Sequence, residues 1–127
     1  MLTRLAIALI LLGIVVPAFA SQPGDVLIGD EVVVRIRFPA GGMTVEQRAD
    51  AVTYRINDLL GSQPFSQSDV KVGVVNKEYV VTIGGKVIIT ADADTAKFNK
   101  STPQQLAEMW AANLSRVIPK AKNKSVR

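Results

Sequence analysis

Residues 102–118, TPQQLAEMWAANLSRVI, constrain this chain more than any other stretch. Thr102 is a good N-cap, and Pro103 suits the first helical position, where a missing N–H costs nothing. Gln105 stands three residues after Thr102, so the two can close a capping box. Leu106, Met109, Trp110, Asn113, Leu114 and Val117 then recur at helical spacing and make one mostly apolar stripe. Pro119 is expected to end the helix. A helix with a single apolar stripe must bury it against another element, and the sequence before it reads as a sheet. The only Trp, Trp110, lies on that stripe and is expected in the core.

The upstream sequence alternates strands and one further helix. Residues 25–28 and 31–38 are two extended runs joined by Gly29-Asp30, a hairpin turn. In the second run Val32, Val34, Ile36 and Phe38 fall on one face, and Val33, Arg35 and Arg37 on the other. The segment 39–42, PAGG, breaks the strand. Thr44 with Gln47 is a second capping box. After it Val45, Ala49, Val52, Ile56, Leu59 and Leu60 face one way, while Glu46, Arg48, Asp50, Arg55 and Asp58 lie mostly off that stripe. Gly61 fits a residue just past a helix end. Three strands follow at 70–75, 78–83 and 86–91, turned by Asn76-Lys77 and Gly84-Gly85. In the first, Val70, Val72 and Val74 oppose Lys71 and Gly73. Residues 92–101 read as a connector.

The order is therefore β-β-α-β-β-β-α. Hairpins imply antiparallel pairing, and two amphipathic helices laid on one sheet face give a two-layer α+β sandwich. The other face is expected to carry Val33, Arg35, Arg37 and Lys71, a candidate contact surface.

The first twenty residues follow the physical pattern of an export leader. Arg4 supplies a positive start, residues 5–16 are apolar apart from Gly13, and Pro17 ends the run. Ala18-Phe19-Ala20 fits the small-x-small cleavage rule. The apolar run is shorter than the roughly 20 residues a membrane span needs. Cleavage after Ala20 is expected, with retention as an anchor the alternative. The mature chain is then a single domain over residues 21–119, with a basic tail over 120–127, and no further hydrophobic span. It is expected in the periplasm or outside the cell. There is no Cys, so no disulfide staples it.

The positive charge is uneven. Arg116, Lys120, Lys122, Lys124 and Arg127 crowd the end, whereas residues 21–115 hold nine basic against eleven acidic residues, a net of −2. The tail reads as a solvated terminus, or as a loose attraction to anionic envelope polymers. A folded body with few aromatics and no basic stripe on one element speaks against nucleic acid.

The chemistry-bearing residues are sparse. With no His and no Cys, the commonest general base, the thiol nucleophile and the usual zinc ligands are missing. No phosphate-binding loop, dinucleotide fingerprint or nucleophile elbow is present. No catalytic residue, cofactor or metal site is assigned. Asp92 and Asp94 are the one acidic pair in a connector. Hard cations favour clustered oxygens, but Ala96 and Lys97 stand where a calcium loop needs its next ligand and its Gly. Asp92 and Asp94 are read first as groups that satisfy backbone donors. The candidate ligand or partner contacts are Asp92, Asp94, Arg35 and Arg37.

From Val87 the chain reads VIITADADTAKFNKSTPQQLAEMWAANLSRVI, and residues 44–56 read TVEQRADAVTYRI. Both stretches resemble the extracytoplasmic N-terminal domain of some bacterial small-conductance mechanosensitive channels. Thr44, Glu46, Arg48, Ala49 and Ile56 carry the resemblance in front. Thr90, Asp92, Ala93, Asp94, Leu106, Ala107, Trp110 and Ala111 carry it behind. These residues hold no pore helix, so the resemblance implies a free-standing exported version of a sensory or interaction module. The function expected is a non-enzymatic envelope binding module with an envelope or membrane protein as partner. The alternative is a small-ligand or cation-binding domain that uses the loop from Asp92 to Asn99.

Overall fold

The computed structural model describes residues 22–121. The leader expected at 1–20 lies outside the described residues, as does the tail beyond Ala121. In chain order the elements are β1 (Asp25–Ile28), β2 (Glu31–Arg35), α1 (Val45–Ser62), a 3-10 turn (Gln67–Asp69), β3 (Val70–Val75), β4 (Glu78–Ile83), β5 (Lys86–Thr90), α2 (Ala93–Phe98) and α3 (Pro103–Ala121). The class is α+β, with antiparallel strands in the expected order. The strands divide between two sheets, β1-β2 and β3-β4-β5, rather than forming one.

The local signals act as the residue types require. Thr44 and Gln47 close the expected capping box: the Gln47 N–H donates to Thr44 Oγ1 (3.1 Å) and the Thr44 N–H to Gln47 Oε1 (2.9 Å). Thr102 and Gln105 repeat it at the start of α3, at 3.2 and 3.0 Å. Asn76 and Lys77, then Gly84 and Gly85, all have positive φ, so both turns of the three-stranded sheet use the backbone shape that matches strand twist.

α3 is the element that joins the two sheets. It packs on β3 and β4 on one side and on β1 and β2 on the other, and α2 lies against it. Leu106, Trp110, Leu114, Val117 and Ile118 form its buried stripe, with Trp110 only 1% exposed. α1 packs on β1 and β5 and contributes Ala49, Val52, Ile56, Leu59 and Leu60 to the same core cluster.

Several expectations are corrected. Val33 does not face outward; it is 1% exposed. The register of β1 and β2 shifts between Val26 and Leu27, so Val33 is an extra residue without a partner in the ladder. Such a bulge re-aims a side chain, and here it turns Val33 into the core. The Val33 carbonyl accepts from Asn113 Nδ2 of α3 at 3.2 Å, which gives that stripe asparagine its role. β2 also ends at Arg35 instead of Phe38, because its partner β1 begins at Asp25. Beyond it only the Ile36 N–H continues the pairing, to Gly24 O (2.8 Å).

Met109 sits at the edge of its stripe and is 45% exposed. Val74 is 60% exposed, since the far end of the β3–β4 hairpin runs past the core. Arg48 is buried, although its position lay off the apolar stripe. α1 does not use Gly61 as its stop but continues to Ser62, whose Oγ donates to Leu59 O (2.8 Å). α3 runs past Pro119 to Ala121; burial of Val117 and Ile118 holds its last turns to the core.

The largest local difference is α2, where a plain connector was expected. Asp92 caps it, accepting from the Thr95 N–H at 2.8 Å. Thr95 and Ala96 bury against the core. At its end the Ser101 N–H reaches Ala96 O (2.8 Å) and the Lys100 N–H reaches Lys97 O (3.0 Å). Lys100 takes a left-handed φ of 55°. This is the paired hydrogen-bond pattern that closes helices, built around a lysine where glycine is usual.

Candidate functional site

Two of the four residues singled out in the sequence, Arg35 and Arg37, come together; the other two, Asp92 and Asp94, do not. Asp92 belongs to a structural clamp. The capping box at Thr44 starts α1 so that Arg48, one turn in, points at the segment joining β5 to α2. Arg48 Nη1 donates to Asp92 Oδ1 at 3.0 Å and to Phe38 O at 2.8 Å, and Nη2 donates to Thr90 O at 3.2 Å. One buried guanidinium thus ties α1, the chain after β2, the end of β5 and the cap of α2. The second oxygen of Asp92 is taken by the Thr95 N–H.

Two helical turns on, Arg55 Nη1 donates to Ile88 O at 3.0 Å. β5 is an edge strand, and an open edge is a template for unwanted pairing. Arg48 and Arg55 from α1 occupy carbonyls along it. A recess of about 210 Å³ lies beside the pair, with Met43 and Glu78 in its lining. Its arginines are engaged by backbone oxygens, and a cation near Asp92 would meet the Arg48 charge. Asp94 lies exposed in the first turn of α2. Among the described residues no group of three His, Cys, Asp or Glu side chains is placed to hold a metal ion.

Arg35 and Arg37 line a second recess, about 400 Å³, between the β2 segment and the outer edge of α3. Val32, Met109 and Trp110 supply its apolar surface; Asn99 and Asn113 supply amides. The bulge at Val33 and the Asn113–Val33 hydrogen bond fix the two walls to each other. Asn99 is placed by the end of α2, and that end is held by an edge-to-face contact between Phe98 and Phe38, ring centroids 5.9 Å apart.

The charges of this groove are unequal in their commitments. Asp25 is buried, and its Oδ2 accepts from the Gln22 N–H at 2.9 Å. Its Oδ1 has no hydrogen-bond partner and lies 4.0 Å from Arg37 Nη1. Arg35 stands opposite Asp25 in the ladder, yet the carboxylate lies against Arg37. Arg35 is exposed and makes no ion pair among the described residues. Arg116, counted with the basic end of the chain, is different: it pairs with Glu31 at 2.6 Å on the surface.

The spacing of Arg35 and Arg37 on one face was visible in the sequence. The amides and the exposed thioether opposite them were not, because Asn99, Met109 and Asn113 belong to the end of α2 and to α3, far from β2 in the chain. Asn113 left a trace, as a polar residue inside an apolar stripe.

The arrangement defines a small α+β module with an arginine-bearing open groove and a separate internal clamp. The chain belongs to the family described as Domain of unknown function (DUF8459), whose model matches residues 25–121. Comparison with curated proteins and with solved structures returned no match.

Proposed function

We propose that the chain is an exported, non-enzymatic binding module of the bacterial envelope, and that the groove between β2 and α3 is its contact surface. The observation that carries this reading is the groove itself. It sets an uncommitted arginine, a half-buried arginine and two amides around an apolar floor. Such a mixture of apolar surface with a few convergent polar groups is what a recognition site needs. The leader-like residues 1–20 support export, with processing near Ala20. No helix of the described residues is long and apolar enough to cross a membrane, which fits a module that meets a membrane protein from outside the bilayer.

The resemblance to the extracytoplasmic domain of small-conductance mechanosensitive channels supports a sensory or interaction role. Its matching residues include Arg48 and Asp92 of the clamp and Ile56, Leu106 and Trp110 of the core. They speak to a shared fold more than to a shared ligand. The alternative of a cation-binding loop between Asp92 and Asn99 has less support, since both Asp92 oxygens are engaged.

Site-specific photocrosslinking in cells tests the proposal. A photoreactive residue at Met109, in the groove, is expected to give a discrete crosslinked product with an envelope component. The same residue at Tyr54, exposed on α1, is expected to give none. Equal labelling from both positions, or none from Met109, contradicts the proposal.

A further inference from the structure

We infer that the groove takes a small organic anion: a carboxylate or phosphate held by Arg35 and Arg37, with an apolar body lying on Val32 and Met109 above Trp110. This inference rests on the groove being the contact surface and adds the chemistry of what it contacts.

Arg35 and Arg37 line one recess. Arg37 Nη1 reaches Gln22 Oε1 at 3.5 Å, and the Asp25 carboxylate beside Arg37 is buried with one oxygen spent on the Gln22 N–H. That carboxylate is 4.0 Å from Arg37, too far for a short charge-assisted hydrogen bond. It lowers the local positive charge without occupying the donors. Arg35 keeps its fork of N–H groups, a shape that matches a planar carboxylate or a phosphate.

At about 400 Å³ the recess is of small-ligand size. Its apolar lining favours a ligand with a hydrocarbon or aromatic portion over a bare inorganic ion. The groove also keeps hydrogen-bonding capacity. Asn113 spends an N–H on Val33 O, and its carbonyl remains an acceptor, so a ligand hydroxyl or N–H has a partner opposite the anion end.

Trp110 is the only tryptophan in the chain, so its fluorescence reports on the groove floor. The full chain is titrated with phenylacetate, phenyl phosphate, inorganic phosphate and the neutral phenylacetamide. At least one of the two aromatic anions is expected to give a saturable change. Phenylacetamide and inorganic phosphate are expected to bind about 10- to 100-fold more weakly, the value of a charge-assisted hydrogen bond or of a buried apolar body. Arg35→Gln should weaken the anion by a similar factor while leaving the thermal midpoint unchanged, since Arg35 is exposed.

Equal binding of phenylacetamide, equal binding by Arg35→Gln, or no saturable change with either aromatic anion overturns the inference. Attachment to phosphatidylglycerol vesicles without binding of the free anions overturns it too, in favour of a lipid surface. A Met109 crosslink in the absence of anion binding leaves the groove as a contact surface of another chemistry. Loss of both removes the proposed function as well.

Discussion

Arg48→Ala is expected to destabilise the fold by about 3–5 kcal/mol, the cost of removing one partner of a buried ion pair. The loss is more than one contact. The Arg48 side chain is 6% exposed, and its guanidinium serves Asp92, Phe38 O and Thr90 O together. Without it the Asp92 carboxylate stays in a mostly buried site with its charge uncompensated, and two carbonyls lose a donor. For a domain of this size the whole stability is on the order of 5–15 kcal/mol, so the variant approaches the unfolding threshold. Urea unfolding measures the effect. Asp92→Asn is expected to cost less, because an amide oxygen can still accept from the Thr95 N–H and cap α2. The double variant should cost less than the sum of the two singles, as interacting partners do. An Arg48→Ala protein within about 1 kcal/mol of the parent contradicts the clamp, since an exposed pair is worth no more than that.

Trp110→Ala is expected to cost about 3–5 kcal/mol, the range for truncating a large buried aromatic. Trp110 is 1% exposed and lies at the centre of α3, the helix that bridges both sheets. It belongs to the core cluster and borders the groove. A truncated side chain leaves a cavity whose walls belong to different elements and collapse poorly. In a domain of about 100 residues each kcal/mol moves the melting temperature by roughly 4–8 °C. A drop of more than about 12 °C is therefore expected by calorimetry. A drop of less than about 4 °C would show that Trp110 is not the keystone of the core. The Phe98–Phe38 pair gives a contrast. Phe98 is largely exposed, so Phe98→Ala acts mainly on the placement of Asn99.

Much of this architecture was legible because its signals are local. Two Thr-x-x-Gln boxes start the two long helices, and the turns at Asn76-Lys77 and Gly84-Gly85 set the three-stranded hairpins. What was not legible depends on partners distant in sequence. Arg48 looks like a surface residue beside Ala49 until Asp92, Thr90 and Phe38 are brought around it. Val33 alternates outward in its own strand, and only the register with β1 makes it a bulge that turns inward. α2 was hidden because its cap, Asp92, reads equally well as half of an acidic pair, and because Lys100 occupies a backbone shape for which the eye seeks glycine. Of the candidate site, Arg35 and Arg37 were visible as neighbours on one face of an extended run. The opposite wall was not, since Met109 and Asn113 read as members of the helix stripe. Asp92 and Asp94 lie two residues apart, yet the cap turns one inward and leaves the other in solvent.

We propose the β2–α3 groove as the surface where this module meets its partner. Hydrogen exchange of the full chain, with and without detergent-solubilised envelope material, separates this surface from the others. Slowed exchange is expected only in peptides covering residues 32–37 and 99–113, with the exposed face of α1 around Tyr54 unchanged. Slowing centred on α1 or on the far end of the β3–β4 hairpin, with none at the groove, would contradict it.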